Sequence, residues 1–293
     1  MTEKASPDVV TGAPGRPVEI EEATNLYLIH PMSRRVVDVL QHTPVTPNQV
    51  SVASMLFAAA GAFCYARLAW PASAVVGLLL LIVWHVLDGA DGDLARRTGR
   101  ASPIGELVDG VCDHVSQGLV YIALAWMAQA SLGVGTAWGL AVAAAASHFI
   151  QANAYETGRK TYRRWVYGAA WMRQTQDAGG NIFQALLGGL YVGISHLVAP
   201  GEAALEAAMG PRLAAGGERA AEARAIYRDR HAGLVKASSW LSSNNRTIAA
   251  FLAVLASQPS WFFLYELSVL NVALVAVLVA RARRNAAVAK ALA

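Results

Sequence analysis

Long apolar stretches dominate the chain from residue 48 onward. Five of them are close to the roughly 20 residues that a helix needs to cross a bilayer. They cover 48–69, 72–95, 105–130, 133–156 and 260–282. Two shorter stretches, 180–198 and 246–257, are further candidates. The pattern predicts an all-α, polytopic membrane protein with six core transmembrane helices, and it leaves room for extra helices between residues 180 and 240.

The residues before the first apolar stretch are amphipathic. Apolar residues recur there at roughly helical spacing, with charged residues between them. They are Leu26, Ile29, Val36, Val37 and Leu40. We expect residues 23–43 to form a helix that lies in the membrane interface. The polar residues 1–22 are expected to be a disordered tail, and residues 44–293 are expected to form one transmembrane domain.

The composition agrees with a membrane protein. Charged residues make up 15% of the chain and hydrophobic residues 55%, whereas soluble domains average about 25% charged residues. The net charge of +4 is modest, and no nucleic-acid partner is expected. Cys64 and Cys112 both lie in apolar stretches, and their spacing indicates neither a disulfide framework nor a metal site.

Clustered basic residues follow the second, fourth and last apolar stretches. By the positive-inside rule these three places face the cytoplasm. The stretch 212–236 is also basic, which conflicts with an outward crossing by residues 180–198. That segment is therefore re-entrant, interfacial or one half of a hairpin, and the sequence leaves the three alternatives open.

Four aspartates occupy the ends of the second and third apolar stretches. Asp88 and Asp91 are three residues apart, and Asp109 and Asp113 are four residues apart, so each pair shares one face of a helix. A short connection joins the two helices and makes them antiparallel neighbours. We therefore expect the four carboxylates to converge near the cytoplasmic boundary of the membrane.

Clustered carboxylates cannot all stay ionised in a low dielectric without positive charge nearby. Arg96 supplies one charge, and a divalent cation is the natural further partner because carboxylate oxygens suit hard ions. An ordinary solvated helix end would explain any one of these residues, but not four aspartates on two facing surfaces. Small residues around the cluster, Gly89, Gly92, Ala95 and Gly105, would let a phosphorylated ligand approach the backbone.

These residues match the signature D-x2-D-G-x2-A-R-x8-G-x3-D-x3-D, and the chain thereby resembles the CDP-alcohol phosphotransferase family. Every fixed position and every gap of the signature is satisfied. The matching residues are Asp88, Asp91, Gly92, Ala95, Arg96, Gly105, Asp109 and Asp113. The resemblance covers mainly residues 44–120.

The resemblance implies an integral membrane enzyme with about six core helices. Such an enzyme transfers a substituted phosphate from a CDP-linked donor to an alcohol and releases CMP. By position, Asp88, Asp91, Asp109 and Asp113 would hold one or two Mg²⁺ or Mn²⁺ ions, and Asp113 would also be the general base. The residues expected to bind CDP are Asp91, Gly92, Ala95, Arg96, Gly105, Asp109 and Asn48.

Basic residues after the fourth apolar stretch have two interpretations. Arg159, Arg163 and Arg164 could hold the phosphate or headgroup of the acceptor. Alternatively they are only a positive-inside topology signal, which is the interpretation that we favour. Asp93 is an additional acid within the motif, and it is expected to point away from the metal ligands because it lies about 140° from Asp88 on the helix.

The motif resembles two branches of the family. The segment DGADGDLAR is similar to archaeal-type inositol-phosphodiester synthases, whereas ARRTGRASPIGELVDGVCDH is similar to choline and ethanolamine phosphotransferases. The second likeness slightly favours a soluble CDP-alcohol donor with a lipid acceptor such as diacylglycerol or ceramide. The alternative is a CDP-diacylglycerol or CDP-inositol donor with an inositol-type or glycerol phosphate acceptor. The family also suggests a homodimer among membrane lipids, placed in a bacterial inner membrane.

A secondary transporter with an aspartate ion site is the alternative outside this class. Transporters bind their substrates near the bilayer midplane and are often built from repeats. Here the aspartates lie at the end of a span, and no repeat is visible in the sequence. The enzyme is therefore the preferred interpretation.

Overall fold

A computed structural model of the chain describes residues 17–169 and 197–293. The described residues contain helices and no strand, which confirms the predicted all-α class. They divide into two compact units. The first unit consists of Glu22–His148 and Ser243–Val269, and the second contains the described residues of 17–21, 149–242 and 270–293.

Nine helices are labelled here within the described residues. In chain order they are α1 His30–Leu40, α2 Pro47–Arg67, α3 Ala72–Arg97, α4 Pro103–Leu132, α5 Val134–Tyr167, α6 Glu202–Ala215, α7 Gly217–Ala237, α8 Ser243–Leu255 and α9 Ser260–Leu292. A π-helical segment, Asn25–Ile29, precedes α1, and another, Tyr265–Leu270, lies within α9. The extra helices expected between residues 180 and 240 are represented by α6 and α7.

Four of the described helices are long and apolar enough to cross a membrane, namely α2, α3, α4 from Ile104 onward, and α9. They indicate an integral membrane protein. Helix α5 covers the stretch predicted as a span at 133–156 but is not one of the four, because it carries polar residues such as Gln151 and Asn153. The six core spans stay a prediction, since the candidate at 180–198 lies largely outside the described residues.

Local sequence signals fix where α2 and α4 begin. Thr46 and Gln49 form a capping box. The Gln49 backbone amide donates to Thr46 Oγ1 at 3.3 Å, and the Gln49 side-chain oxygen Oε1 accepts from the Thr46 backbone amide at 2.9 Å. Thr46 as the capping residue and Pro47 at the first helical position are the sequence signals of a helix start, and α2 begins there. At α4, Ser102 Oγ accepts the Gly105 amide at 3.1 Å. The Ser102 cap lies at the end of α4 that carries Gly105 and Asp109, and the Thr46 cap lies beside Asn48 at the start of α2.

Helix α2 is the scaffold of the first unit, since both α3 and α4 pack against it. The backbones of α2 and α3 approach closely where small residues face each other. A Cβ at Gly61 would lie 3.1 Å from the Gly77 carbonyl oxygen, and one at Gly77 would lie 2.3 Å from the Tyr65 ring. Small residues are what allow such close approach between membrane helices. They hold α3 in a fixed position on α2.

The N-terminal amphipathic segment packs on α3. Its inner face consists of Ile29, Ser33 and Val37, each buried and four residues from the next. On the outer face, Tyr27 is 79% exposed and Val39 66% exposed. This division suits a helix with one face on the protein and one in the membrane interface, and the interfacial position itself stays a prediction.

The second unit has its own apolar core, built from α6, α7 and parts of α5 and α9. Residues 1–16 of the predicted tail lie outside the described residues. Residues 17–22, which the polar pattern also assigns to the tail, are folded: Val18–Ile20 form a short 3₁₀ helix, and Ile20 is fully buried in this core. Glu19 accepts hydrogen bonds from Tyr162 and from Tyr167.

A polar cavity lies inside the second unit, and Arg281 is its buried cation. Arg281 donates to the carbonyl oxygens of Val198, at 2.6 Å, and Ala154, at 2.9 Å. His231 Nε2 lies 2.9 Å from Asn285 Oδ1 on the same cavity wall. A Cβ at Gly158 would clash with the Arg281 guanidinium, so a larger residue at this position of α5 would require the arginine to shift.

Candidate active site

The two halves of the aspartate motif lie at facing ends of α3 and α4. Residues 98–102 connect the helices, with Gly99 in the left-handed region at φ 66°. The Arg100 backbone amide donates to the Ala95 carbonyl oxygen at 2.9 Å, which closes the end of α3. Because the connection is short and both helices pack on α2, the carboxylates are brought together within the first unit.

Three of the four aspartates form a compact cluster. One carboxylate oxygen from each of Asp88, Asp109 and Asp113 lies within 4.8 Å of the others. All three side chains are half-buried. Of the four carboxylates predicted to converge, the structure therefore brings these three together.

The spacing of these oxygens suits a divalent cation. Mg²⁺ binds oxygen at about 2.0–2.1 Å, so two ligands on opposite sides of one ion are about 4.2 Å apart. Carboxylates are also the ligands that hard cations prefer. The donor set therefore fits a Mg²⁺-like ion, which would keep water or substrate oxygens in its remaining coordination positions.

Asp91 is the most buried of the four aspartates, at 3% exposed. Its Oδ2 accepts a hydrogen bond from Ser51 Oγ at 2.5 Å, and its Oδ1 accepts from the Gly92 amide at 2.5 Å. Its carboxyl group also contacts that of Asp109. Asp91 thus adjoins the three-residue cluster and is held by α2, and its place as a direct metal ligand stays a prediction.

Arg96 lies over Gly92 and pairs with Asp93. A Cβ at Gly92 would lie 3.4 Å from an Arg96 guanidinium nitrogen. Arg96 donates to Asp93 Oδ1, and the Asp93 side chain is 4% exposed. The charge of Arg96, which the sequence offered as a partner for the cluster, is therefore shared with Asp93. This increases the need of the cluster for a cation of its own.

Asn48 and Gly105 are neighbours at the start of α2 and α4. A Cβ at Gly105 would lie 3.5 Å from Asn48 Oδ1 and 3.3 Å from Ser102 Oγ. Asn48 is exposed, and Ala95 on α3 is half-buried. The residues predicted to bind CDP therefore lie at the same ends of α2, α3 and α4 as the aspartates, and their role as a nucleotide pocket stays a prediction.

The three arginines predicted for the acceptor lie in the second unit. Arg159 pairs with Glu21 at 3.2 Å, and Arg164 pairs with Glu206 at 2.6 Å. Arg163 is half-buried. Since they and the aspartates belong to different units, their role toward an acceptor stays a prediction.

Two features of the first unit have no counterpart in the sequence interpretation. Ser51 holds Asp91, although nothing in its position on α2 signals this. Arg246 on α8 and Glu266 on α9 form an ion pair at 2.9 Å, with side chains 2% and 0% exposed; the Tyr121 side chain hydrogen-bonds to the same glutamate. A glutamate inside the apolar stretch 260–282 was the available signal, because charge within a span is costly.

The sequence is similar to a known protein family and to several characterised proteins. The family model described as CDP-alcohol phosphatidyltransferase matches residues 44–194. Among similar proteins, the cholinephosphotransferase 1 of Gallus gallus is 39% identical over 64 residues, which cover 22% of this chain and 18% of the relative. No solved structure matches.

Two further relatives are named as inositol phosphate synthases and not as cholinephosphotransferases. The archaetidylinositol phosphate synthase of Aeropyrum pernix is 38% identical over 89 residues, covering 30% of this chain and 44% of the relative. The phosphatidylinositol phosphate synthase of Mycolicibacterium smegmatis is 30% identical over 113 residues, covering 36% and 48%. The chain thus spans less than half the length of each of these three curated relatives.

Proposed function

The chain belongs to the CDP-alcohol phosphatidyltransferase family, and from this premise we propose that it transfers a substituted phosphate from a CDP-linked donor to an alcohol, with release of CMP. The observation that carries the proposal is the set of three carboxylate oxygens, from Asp88, Asp109 and Asp113, within 4.8 Å of one another. Such a set, at the ends of two apolar helices, suits a divalent cation and a pyrophosphate.

In this proposal the aspartates hold one or two Mg²⁺ or Mn²⁺ ions. A bound ion supplies charge neutralisation for the pyrophosphate and for the departing CMP. Asp91, fixed by Ser51, completes the acidic wall beside Asp109. Arg96, folded over Gly92, binds a phosphate oxygen of the donor, while Ala95, Gly105 and Asn48 form the nucleotide side of the pocket.

Asp113 is the proposed general base. It accepts the proton of the acceptor hydroxyl, whose oxygen forms a bond to the phosphorus that carries the alcohol group of the donor. The bond between that phosphorus and the bridging oxygen breaks, and CMP leaves with the electron pair. A carboxylate within hydrogen-bond reach of the hydroxyl is what this step needs, and Asp113 lies one turn further into α4 than Asp109.

Two donor classes are compatible with the family. We favour a soluble CDP-alcohol, such as CDP-choline or CDP-ethanolamine, with a lipid acceptor such as diacylglycerol or ceramide. The likeness to a cholinephosphotransferase supports this mode. The likeness to two inositol phosphate synthases supports the alternative, a CDP-diacylglycerol or CDP-inositol donor with an inositol-type or glycerol phosphate acceptor, in which Arg159, Arg163 and Arg164 would bind the acceptor phosphate.

The four candidate spans support an enzyme within a lipid bilayer. We propose that it acts in a bacterial inner membrane, with the aspartates on the cytoplasmic side where soluble CDP-linked donors are found. We also propose that it acts as a homodimer, as the family resemblance suggests. The polar-lipid product would remain in the membrane.

CMP release tests the proposal directly. The protein is purified, placed in lipid nanodiscs that contain diacylglycerol, and incubated with Mg²⁺ or Mn²⁺ and one CDP-linked donor at a time. We expect CMP and a new lipid with one donor class, identified by mass spectrometry, and no CMP after chelation with EDTA. A second series offers CDP-diacylglycerol with inositol phosphate or glycerol phosphate, which separates the two modes.

The controls separate enzyme from transporter. The variant Asp109→Asn should form no CMP, whereas Asp229→Asn, which changes an exposed aspartate of α7, should match the unchanged protein. Absence of CMP with every donor, together with cation flux in liposomes that depends on Asp109, would contradict the proposed function and favour an ion site.

A further inference from the structure

Helix α1 lies before the region that matches the family model, which begins at residue 44. It nevertheless contacts α3 at the motif. Ser33, fully buried between Ile29 and Val37 on the inner face, donates a hydrogen bond to the Val86 carbonyl oxygen at 2.7 Å. Val86 lies two residues before Asp88, so this hydrogen bond holds the backbone of α3 directly before the first proposed metal ligand.

Gly89 shows how closely α1 approaches. It directly follows Asp88 and occupies a position that the signature leaves free. A Cβ at Gly89 would lie 2.8 Å from Ser33 Oγ, which is closer than real Cβ contacts. A larger residue would therefore displace either the serine hydroxyl from Val86 or the whole of α1. Packing against α1 therefore accounts for a glycine at this position.

Further contacts extend along the motif. Val37 packs with Ala90 and Leu94 in one buried apolar cluster, together with Val50 of α2. At the end of α3, Arg97 pairs with Asp38 at 2.6 Å. The contacts of α1 thus begin before Asp88 and end after Arg96, and α1 shares the motif segment of α3 with α2.

We propose that α1 is a positioning element for the aspartate site, acting through the contact between Ser33 and Gly89. This rests on the proposed function for its metal and donor. The distance of Asp88 from Asp109 and Asp113 depends on how the backbone of α3 is held around residues 86–89. A metal site is sensitive to such support, because changes in residues that hold the ligands typically cost about 10- to 100-fold in affinity.

Direct Mn²⁺ binding tests this without relying on turnover. The free Mn²⁺ signal in electron paramagnetic resonance is titrated with detergent-purified protein in the absence of donor. We expect Gly89→Ala to weaken binding about tenfold, within the range for residues that support ligands. The matched control is Gly118→Ala on α4, where a Cβ meets nothing within 4 Å; its Mn²⁺ affinity should be unchanged.

A double variant decides whether the contact is responsible. In Gly89→Ala with Ser33→Ala, the clashing hydroxyl is gone and the two Cβ atoms would be 3.6 Å apart, an ordinary contact. We expect the affinity to return to within about threefold of the unchanged protein, whereas Ser33→Leu, which forces the helices apart, should weaken it more than Gly89→Ala. The rescue makes the experiment informative even if Gly89→Ala is poorly folded.

Turnover gives a second readout that general destabilisation does not produce. The Mn²⁺ concentration for half-maximal CMP release should rise in Gly89→Ala, while kcat at saturating Mn²⁺ recovers. Normal Mn²⁺ binding by Gly89→Ala, or equal loss in the single and double variants, would overturn the proposed positioning. If the unchanged protein binds Mn²⁺ but releases no CMP from any donor, the proposed function fails while the Mn²⁺ titration still tests the role of α1.

Discussion

The aspartate site of the first unit and the polar cavity of the second unit differ in the partners that surround their charged side chains. In the first, Asp88, Asp109 and Asp113 bring carboxylates of one sign within 4.8 Å of one another. In the second, Arg281 donates to two carbonyl oxygens, and Glu202 lines the same cavity. The donors of the buried arginine thus have acceptors within the protein, whereas the clustered carboxylates share one sign of charge, which a cation would neutralise.

This difference distinguishes the proposed catalytic site from a region that stabilises the fold. Like charges held together raise the free energy of the folded state unless a ligand neutralises them. A buried cation with satisfied donors instead becomes costly when its partners are removed. Substitutions in the two regions should therefore have opposite effects: in the first they abolish activity and spare the fold, and in the second they weaken the fold.

The largest effect is expected for Asp113→Asn. The amide cannot accept the acceptor proton, so CMP release should fall by about 10³-fold or more, near the upper part of the range for general bases. Some CDP binding should remain, because the other three aspartates are unchanged. The measurement is CMP release under saturating Mn²⁺, with donor binding followed separately by calorimetry.

Stability provides the other half of that test. Without metal, Asp113→Asn should unfold at the same temperature as the unchanged protein or above it, because one like charge has been removed from the cluster. Near-normal turnover would exclude Asp113 as the base. A clear drop in the unfolding temperature without metal would contradict the comparison between the two regions.

The next largest effect is expected for Arg281→Met. The change leaves the carbonyl oxygens of Val198 and Ala154 and the nearby Glu202 without the guanidinium, and breaking a buried charged arrangement typically costs about 3 kcal/mol or more. Unfolding in mixed micelles measures the loss. Arg283→Met, an exposed arginine two residues along α9, is the matched control and should change the unfolding free energy little.

Mn²⁺ affinity distinguishes the loss of stability expected for Arg281→Met from a defect of the aspartate site. Arg281→Met should retain the Mn²⁺ affinity of the unchanged protein at temperatures where it is folded. A selective loss of Mn²⁺ affinity, with normal stability, would mean that Arg281 serves the aspartate site and not the fold.

The same two regions show what the sequence can and cannot predict. The aspartate cluster was predictable because each pair is fixed by helix periodicity and the pairs are joined by a short connection, so local geometry determines the arrangement. The role of Arg281 was not predictable. It lies in the run RARR at 281–284, which indicates a topology signal, and only the long-range approach of Val198 and Ala154 makes it a buried residue.

Partners that are distant in sequence account for the other omissions. Ser51 is an ordinary polar residue of α2 until folding places it 2.5 Å from Asp91. Asp93 is not among the three clustered aspartates, and the helical angle could not show that it pairs with Arg96. The class of the fold and the start of α2 were predicted from local signals, whereas the division into two units depends on contacts that no local pattern contains.

A smaller effect, on stability alone, is expected from pH in the second unit. Burial lowers the pKa of His231 to about 4, below its ordinary value near 6.5. As the pH falls below 6.5, the unfolded chain takes up a proton before the folded one does, so this histidine removes stability as pH falls, by about 2 kcal/mol at pH 5. His231→Gln should therefore lose less stability than the unchanged protein between pH 6.5 and 5.

The comparison of the two profiles isolates this histidine from the other groups that titrate. His42→Gln, which changes an exposed histidine, is the control for the substitution itself. Identical profiles for His231→Gln and the unchanged protein would show that His231 takes up a proton in the cavity at its ordinary pKa. CMP release at saturating Mn²⁺ should be unaffected by His231→Gln at neutral pH.

The smallest effect is expected for Ser51→Ala at the edge of the aspartate site. Removing the hydroxyl leaves Asp91 Oδ2 without the donor that now lies 2.5 Å away, and we expect the Mn²⁺ affinity or the donor KM to change by up to about tenfold, the equivalent of about 1.4 kcal/mol. The matched control is Ser54→Ala on the same helix. Its buried hydroxyl donates to the Ser51 carbonyl oxygen at 2.7 Å and touches no aspartate. If both variants lower stability equally and neither changes Mn²⁺ affinity or KM, then Ser51 belongs with the residues that only maintain the fold, and the boundary of the aspartate site lies at Asp91 itself.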